Sequence, residues 1–315
     1  MQKRSDGRGG LSVGRLLLRA MMLAAVSGCA AVSPVRNSGG FTTSLRAQGG
    51  DVELSTARPL AVSNDELTKW TQRAITALTG FYGHYPVKHV SIIVSPAPRG
   101  SVQNGQESNG NRITIRIGPE TTGADLSDDW MLTHEMFHLS QPQLDGDYTW
   151  MSEGMADYLE PVARVRIGQI TEERFWKDLV EGLPQGLPGP GDGGLDGSQS
   201  WGRTYWGGSL FWLMADVGVR QRTGNQKSVR DAAKAVLDAG GDGSGDWSID
   251  KLLSAYDKGT GTMVFKELHD QFGAKPGHVD LNDLWKSLGV VYSDGRISFD
   301  DKAPLAGIRK GITAP

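Results

Sequence analysis

The chain has 315 residues, of which 33 are Lys or Arg and 36 are Asp or Glu, giving a formal net charge of -3. Its hydrophobic fraction of 38% and charged fraction of 22% are typical of a globular protein and exclude a disordered or wholly membrane-embedded chain. This charge balance offers no basic surface for nucleic acid, so no nucleic-acid partner is expected. The single cysteine excludes a disulfide framework and a thiolate metal site.

The N-terminal residues predict export and lipidation. Residues 1–28 contain several arginines and then a short apolar stretch that ends in Val26-Ser27-Gly28 before Cys29. This segment resembles the lipobox of bacterial lipoproteins, in which a lipidated cysteine becomes the new N-terminus. We expect a signal peptide over 1–28 and a protein anchored in the bacterial cell envelope through Cys29, on the periplasmic side. Ala30 favours the outer membrane. The alternative is an ordinary secretory signal with a coincidental cysteine.

The residues after the signal peptide predict a linker followed by a folded domain. Residues 29–60 are rich in Ser, Gly and other small residues, which predicts a flexible linker before one domain over 61–315. The apolar residues of 65–81 recur at a helical period, with Ser63 or Asn64 as the N-cap. Residues 90–94 are nearly all apolar and predict a buried strand.

Strands precede helices along the domain. In Arg112–Gly118 isoleucines alternate with polar residues, which predicts a half-buried strand after a hairpin-like stretch over 100–111. After Leu126 the pattern is helical to the C-terminus, interrupted by glycine-rich loops such as Asp238–Asp250, a solvated turn with Ser248 capping the next helix. This order is typical of the α+β class.

The segment His134-Glu135-Met136-Phe137-His138 carries candidate metal ligands and a candidate base. Residues at i and i+4 of a helix lie on one face, so His134 and His138 can share one Zn²⁺, with Glu135 beside them to act on a water molecule. Ser127 is a credible N-cap for this helix. The other positions are apolar nearly all round, which predicts a buried helix whose polar groups need a compensating metal.

A second segment supplies a third ligand by resemblance. The pattern W-x-S-E-G-x-x-D-Y over residues 150–158 resembles the glutamate-ligand helix of the glycyl aminopeptidase family of gluzincins, and more distantly thermolysin and the large zinc aminopeptidases. The resemblance implies one Zn²⁺ per chain, bound by His134, His138 and Glu153, with a position left open for water. It also implies that Asp157 accepts the N–H of a ligand histidine. A solvated helix acid is the alternative for Asp157.

A tyrosine segment extends the resemblance. Arg203–Leu210 is similar to the segment of that family in which a tyrosine before a glycine-containing turn hydrogen-bonds the tetrahedral intermediate, and Tyr205 is the matching residue. The alternative is that Tyr205 packs in a helix's apolar stripe. The Gly/Pro-rich loop over 182–202 precedes it and is either a lid or a plain surface loop.

Together these features predict a thermolysin-like zincin. The resemblance implies two lobes, a small sheet-containing upper lobe and a helical lower lobe, and hydrolysis of a peptide or protein substrate by a zinc-activated water with Glu135 as general base and Tyr205 on the oxyanion. We also predict the strand over 112–118 to be the cleft edge. The resemblance does not extend to the strand motif that binds a free amino group in the large zinc aminopeptidases. Endopeptidase or aminopeptidase action and the oligomeric state stay open, and a non-catalytic zinc-containing lipoprotein that binds peptides or a partner is the alternative.

The lipobox resemblance predicts the effect of one substitution. Cys29→Ser removes the thiol that would be lipidated, so the variant should lack lipid and be released from membranes. Metabolic labelling with a radioactive fatty acid, followed by fractionation, measures both properties. Labelling of Cys29→Ser at the wild-type level would contradict the prediction.

Overall fold

A computed structural model describes residues 40–315 of the chain. The predicted signal peptide, Cys29 and the first part of the predicted linker lie outside these residues. Within residues 40–315, no helix has both the length and the apolar character needed to cross a membrane.

Five strands form the main sheet. They are β1 (Phe41–Ala47), β2 (Gly50–Thr56), β3 (His89–Pro96), β4 (Val102–Ser108) and β5 (Arg112–Ile117), in the order β1-β2-β3-β5-β4. The three inner strands β2, β3 and β5 are parallel, and the two edge strands β1 and β4 are antiparallel to their neighbours. The inward-facing side chains of the inner strands are fully buried aliphatics such as Leu54, Ile92 and Ile115, so one face of the sheet forms the core.

The prediction of a flexible linker over 29–60 is wrong for its second half. Residues 41–56 form the β1–β2 hairpin, joined at Gln48-Gly49, with Gly49 at φ 98°. Val52 and Leu54 are buried in the core, whereas β1 has no fully buried side chain. Because β1 is an edge strand with mostly polar residues, its composition resembles that of a linker.

Eleven α-helices lie within residues 40–315, and they complete the α+β class predicted from the sequence. They are α1 (Asn64–Tyr82), α2 (Gly123–Asp128), α3 (Met131–His138), α4 (Thr149–Arg166), α5 (Glu172–Gly182), α6 (Gly208–Arg222), α7 (Val229–Asp238), α8 (Ile249–Thr260), α9 (Val264–Phe272), α10 (Leu281–Leu288) and α11 (Ala306–Thr313). Ser63 caps α1 in a capping box with Glu66, and Ser248 caps α8, both as expected.

The predicted run of helices to the C-terminus is interrupted. Strands β6 (Val290–Ser293) and β7 (Arg296–Phe299) form an antiparallel hairpin between α10 and α11. These strands have only four residues each, too few for their alternation to stand out from the surrounding helical pattern. The buried guanidinium of Arg309 lies over the ring of Phe299 and donates to the carbonyl of Gly289, which fixes the hairpin on α11.

Helix α3 contacts strands β4 and β5 as well as helices α1 and α4, and it is anchored to α1. The rings of Phe81 and Phe137 meet edge to face at 5.4 Å, and the hydroxyls of Tyr82 and Ser140 are 2.7 Å apart. Every side chain from Met131 to Phe137 is buried. The helix carrying the His-Glu-x-x-His segment is therefore internal, as its composition predicts.

The predicted start of this helix is wrong. Ser127 belongs to the separate short helix α2, and α3 begins four residues later. The buried carboxylate of Asp129 caps α3 instead, since it accepts from the backbone N–H of Leu132 at 3.1 Å and from the Trp70 indole of α1 at 2.9 Å. Burial raises the pKa of Asp129, although these hydrogen bonds oppose the shift. The break before Trp130 gives α3 a cap that is tied to α1 rather than exposed.

Helices α4 and α6 cross with their backbones in contact. A Cβ atom on Gly154 would lie 2.3 Å from the carbonyl carbon of Gly208, and one on Gly208 would lie 2.3 Å from the carbonyl oxygen of Trp150. The Trp212 indole donates to the carbonyl oxygen of Met151 at 3.1 Å across the same crossing. Since Gly154 follows Glu153 directly, the crossing fixes the backbone that carries this predicted ligand.

This crossing predicts a large effect of one methyl group. Gly154→Ala forces α4 and α6 apart and should lower the free energy of unfolding by about 1–3 kcal/mol. Gly307→Ala is the matched control, because Gly307 is an exposed helical glycine and a Cβ atom added there would have nothing within 4 Å. This control should be neutral or stabilising by up to ~1 kcal/mol. Chemical denaturation measures both. Equal stability of the two variants would contradict the inferred contact.

Candidate metal centre

The structure brings together His134, His138 and Glu153. Helices α3 and α4 lie antiparallel, so that the face of α3 bearing the two histidines meets the second turn of α4. The two Nε2 atoms are 3.3 Å apart, and the Glu153 Oε2 atom lies 3.3 Å from His134 Nε2 and 3.7 Å from His138 Nε2. Among the residues the structure describes, this is the one group of three or more His, Cys, Asp or Glu side chains with such convergence.

These separations fit a tetrahedral zinc ion. Ligand atoms that are each about 2.0–2.1 Å from zinc at tetrahedral angles are about 3.3 Å from one another. The three observed distances of 3.3, 3.3 and 3.7 Å are close to this value. Two imidazoles and one carboxylate are also a donor set that zinc takes in catalytic sites with an open fourth position.

The two histidines are oriented by different neighbours. Asp157, one turn after Glu153, places Oδ1 3.4 Å from Nδ1 of His134. Ser152 places its hydroxyl 3.2 Å from Nδ1 of His138. A group on the second ring nitrogen of a metal-binding histidine fixes its tautomer and orientation. Asp157 is among the residues predicted from the sequence, but Ser152 is not. The sequence feature that could have pointed to Ser152 is its hydroxyl group directly before the ligand Glu153.

Burial and charge set the protonation states of the cluster. Burial alone lowers the pKa of His134, but the carboxylates of Asp157 and Glu153 outweigh it and raise that pKa to about 10. Burial lowers the pKa of His138 to about 4. Burial raises the pKa of Glu153, yet the two histidines prevail and lower it. The metal-free cluster therefore holds one proton, on His134, at the position that a cation would take.

Glu135 lies beside the cluster, under the edge of the sheet. Its side chain is 7% exposed, and its Oε2 accepts from the backbone N–H of Glu107 at 2.8 Å. Burial raises the pKa of Glu135 to about 7, and the charge of Glu153 adds to the shift, whereas His134 and the N–H of Glu107 oppose it. A Cβ on Gly105 would lie 2.6 Å from Glu135 Cγ, so this strand position needs glycine. Glu135 is thus an acid or base that titrates near neutral pH.

The predicted cleft edge is wrong by one strand. The strand over 112–118 is β5, which lies inside the sheet between β3 and β4. The strand at the edge beside Glu135 is β4, which lies in the stretch predicted only as hairpin-like. Its residues Gly105 and Glu107 contact Glu135. Because nearly all residues of β4 are polar, its sequence has no clear apolar alternation that could have revealed the strand.

Tyr205 lies in a π-helical turn, Arg203–Gly207, that leads directly into α6 and packs against α4. Its ring stacks on that of Trp201 at 5.8 Å. One-turn π-helical segments are frequent at functional sites because they displace side chains from the helical register. The structure thus places Tyr205 next to the helix that bears Glu153.

The Gly/Pro-rich loop over 182–202 is fixed at several points. The buried guanidinium of Arg203 donates to the carbonyls of Gly186 and Gly193. Further along, the N–H of Leu195 donates to the carbonyl of Phe272, and the Asp196 carboxylate accepts from the Trp150 indole at 3.0 Å. These hydrogen bonds hold the loop against α4 and α9.

A second loop, between α7 and α8, contacts both the turn after β4 and the end of α3. In this segment, residues 240–247, the N–H of Gly243 donates to the carbonyl of Leu139. A Cβ on Gly243 would lie 2.9 Å from the carbonyl oxygen of His138, and one on Gly110 would lie 2.4 Å from the N atom of Ser244. We call residues 240–247 the closing loop, because it fills the space between the end of β4 and the end of α3. The predicted solvated turn is thus partly buried.

The fold resembles that of zinc metallopeptidases of known structure. An aminopeptidase N family protein from Idiomarina loihiensis matches with a TM-score of 0.62 and 16% identity, over 80% of this chain and 49% of its own. An M1 zinc metallopeptidase from Deinococcus radiodurans matches with a TM-score of 0.52 and 17% identity, over 77% and 53%. A variant of an M1 zinc metallopeptidase from the same organism, bound to a Tyr-Ser-Ala substrate, matches with a TM-score of 0.50 and 15% identity, over 77% and 54%.

The chain spans about half the length of these solved structures. At such identities the likeness shows a shared fold. No protein-family model and no curated protein matches the sequence. The structural neighbours are zinc metallopeptidases, and this chain has a His-His-Glu group that could hold a metal ion.

The cluster predicts zinc binding that depends on each ligand and on pH. His134→Ala, His138→Ala and Glu153→Ala should each lose several kcal/mol of zinc affinity, out of the ~10–16 kcal/mol typical of structural sites. His89→Ala, which removes an exposed histidine paired with Asp51, is the control and should bind zinc as the wild type does. Elemental analysis and titration against a zinc indicator measure these affinities.

The pH dependence follows from the proton on His134. Because its pKa is about 10 without metal, zinc must displace this proton, and between pH 6 and 8 apparent affinity should rise about tenfold per pH unit. A Glu135→Gln background removes the other group that titrates in this range. Affinity that does not change with pH in that background would contradict the assignment.

Proposed function

We propose that this protein hydrolyses peptide bonds with a zinc ion bound by His134, His138 and Glu153. The observation that carries the proposal is the position of Glu135, whose carboxylate lies beside the three converging ligands and under the edge strand. A structural zinc site has no need of such a buried acid. In this proposal the sheet and the helical part are the two lobes of a thermolysin-like cleft. Because a binding protein has no need of Glu135 beside the ligands, a non-catalytic binding protein is the weaker alternative.

Zinc in this site would act as a Lewis acid that polarises the scissile carbonyl and lowers the pKa of a water molecule. Glu135 takes a proton from the attacking water and passes it to the leaving amine, a task suited to its pKa of about 7. Asp157 and Ser152 hold the two imidazoles in their ligating tautomers. The Tyr205 hydroxyl donates a hydrogen bond to the developing oxyanion.

The edge strand β4 is proposed to bind the substrate backbone. Residues that alternate along an antiparallel strand direct their N–H and C=O groups to the same side. The N–H of Glu107 points away from β5 to Glu135, so the backbone groups of Gly105, two residues earlier, face the same outer edge. A peptide could pair there as an added strand above the metal ligands.

The closing loop favours cleavage near an amino terminus. A peptide antiparallel to β4 has its amino end toward Ser108, where Gly110 and Gly243 are in contact. This contact lies only three residues beyond Glu107, so at about 3.3 Å per residue it leaves room for no more than a short amino end before the scissile bond. The Glu107 carboxylate, partly buried between the N–H of Gly110 and Gln143, lies at the same end and can accept a free amino group. We therefore propose aminopeptidase rather than endopeptidase action.

Two substitutions test the mechanism. Glu135→Gln keeps the size of the side chain but cannot accept a proton, so zinc should stay bound while kcat falls by about 10²–10⁴. Tyr205→Phe removes only a hydroxyl, and kcat should fall by about 10²–10³ with little change in KM. Steady-state kinetics on a peptide mixture read by mass spectrometry measure both.

The two outcomes are separable. A silent Tyr205→Phe would remove that residue from the mechanism and leave the zinc site intact. Full activity of Glu135→Gln would refute the peptidase mechanism and favour the binding protein.

Recognition of the amino terminus has its own test. Peptides with a free amino group should be cleaved one residue at a time, and acetylated peptides should resist. Glu107→Gln should lower kcat/KM on free peptides about tenfold or more, the loss expected for one charge-assisted hydrogen bond. Glu53→Gln, an exposed acid elsewhere on the sheet, is the control. Equal cleavage of free and acetylated peptides would show endopeptidase action instead.

A further inference from the structure

Trp130 lies next to the metal ligands without a part in the mechanism above. It precedes His134 by four residues, so both lie on the same face of α3. Their rings meet edge to face with centroids 5.5 Å apart and an interplanar angle of 87°. Trp130 is partly exposed, whereas Met131–Phe137 are all buried. As the N-cap residue of α3 it makes no side-chain capping hydrogen bond.

Contacts between α3 and β4 show how the helix and the strand are oriented relative to each other. Glu135 lies under Gly105 and Glu107 of β4. Farther along both elements, the end of α3 at His138 and the turn after β4 at Gly110 meet the closing loop. Helix and strand therefore run in the same direction past the metal ligands. Trp130, at the start of α3, lies at the end opposite the closing loop.

We propose that Trp130 determines specificity for the substrate residue that follows the scissile bond, and that it favours an aromatic or long aliphatic side chain there. The inference rests on the proposed peptide hydrolysis. A peptide antiparallel to β4 directs its carboxyl-terminal part toward the start of α3, where the indole is partly exposed. An aromatic surface gains most from contact with a large apolar side chain, through burial of area and ring–ring contact.

The position of the ring explains why it acts on the substrate. The indole is held on one side by the imidazole of His134, so its location relative to the metal ligands is fixed. A side chain that packs on it is placed at a set distance from the reacting carbonyl. Such an interaction contributes to the transition state as well as to binding, because it orients the scissile bond.

The experiment compares the zinc-loaded wild type with Trp130→Ala and Trp130→Phe. Substrates are the free peptides Ala-Phe-Ala, Ala-Leu-Ala and Ala-Gly-Ala, and the readout is kcat/KM for cleavage after the first alanine. The wild type should prefer Phe over Gly by about tenfold or more. Trp130→Ala should bring this ratio close to one, and Trp130→Phe should restore most of it. Zinc content is measured for each variant.

A merely structural role of Trp130 predicts a different pattern. If the indole only supported α3, Trp130→Ala would lower kcat/KM equally for all three peptides and leave the ratio unchanged, which would overturn the proposal. The same holds if the wild type cleaves Ala-Gly-Ala as well as Ala-Phe-Ala. If the zinc-loaded wild type cleaves the peptide mixture but none of these three peptides, this inference alone is refuted. If it cleaves neither, the peptidase function is refuted and this inference with it.

Discussion

The antiparallel contact between α3 and α4 is the constraint on which the rest of the structure depends. It places two imidazoles, Glu153 and Asp157 in a space where isolated charges would be unstable. The cost is offset because each charged group faces a partner, and His134 carries a proton between the two carboxylates in the absence of metal. A bound cation can take over this role. The rigid supports behind both helices, the Gly154–Gly208 crossing and the Phe81–Phe137 contact, then serve to keep the ligand atoms at coordinating distance.

The side chain of Glu135 links the sheet to this centre. Glu135 reaches up from α3 to the backbone of β4, and the absence of a side chain at Gly105 allows this approach. The candidate base and the strand edge that could bind a peptide are therefore one rigid unit. The closing loop adds a second connection, because it contacts both the end of α3 and the turn after β4. Movement of the sheet relative to α3 would disturb the base and the strand edge together.

The sequence predicted those parts of the site that depend on local spacing. His134 and His138 share a face because they are four residues apart on one helix, which holds in any helical context. Glu153 required a family resemblance, since no local rule relates positions on two helices. Strand β4 was missed because an edge strand beside a site carries polar residues and a glycine, so its apolar alternation is weak. The hairpin over 41–56 was missed for a related reason, since β1 contributes no fully buried side chain. The start of α3 was misplaced because its cap, Asp129, is buried against Trp70 of a distant helix.

The two ends of the proposed binding site differ in chemical character. Near the closing loop, the carboxylate of Glu107 offers a charge-assisted hydrogen bond to a free amino group. At the start of α3, Trp130 offers an apolar surface. A peptide bound in the reverse direction would place a charged carboxyl-terminal part near Glu107 and Glu135, and these like charges would repel. In this proposal, binding in the productive direction requires no extended groove. Charge on one side of the scissile bond and shape on the other distinguish the two ends of a short peptide segment.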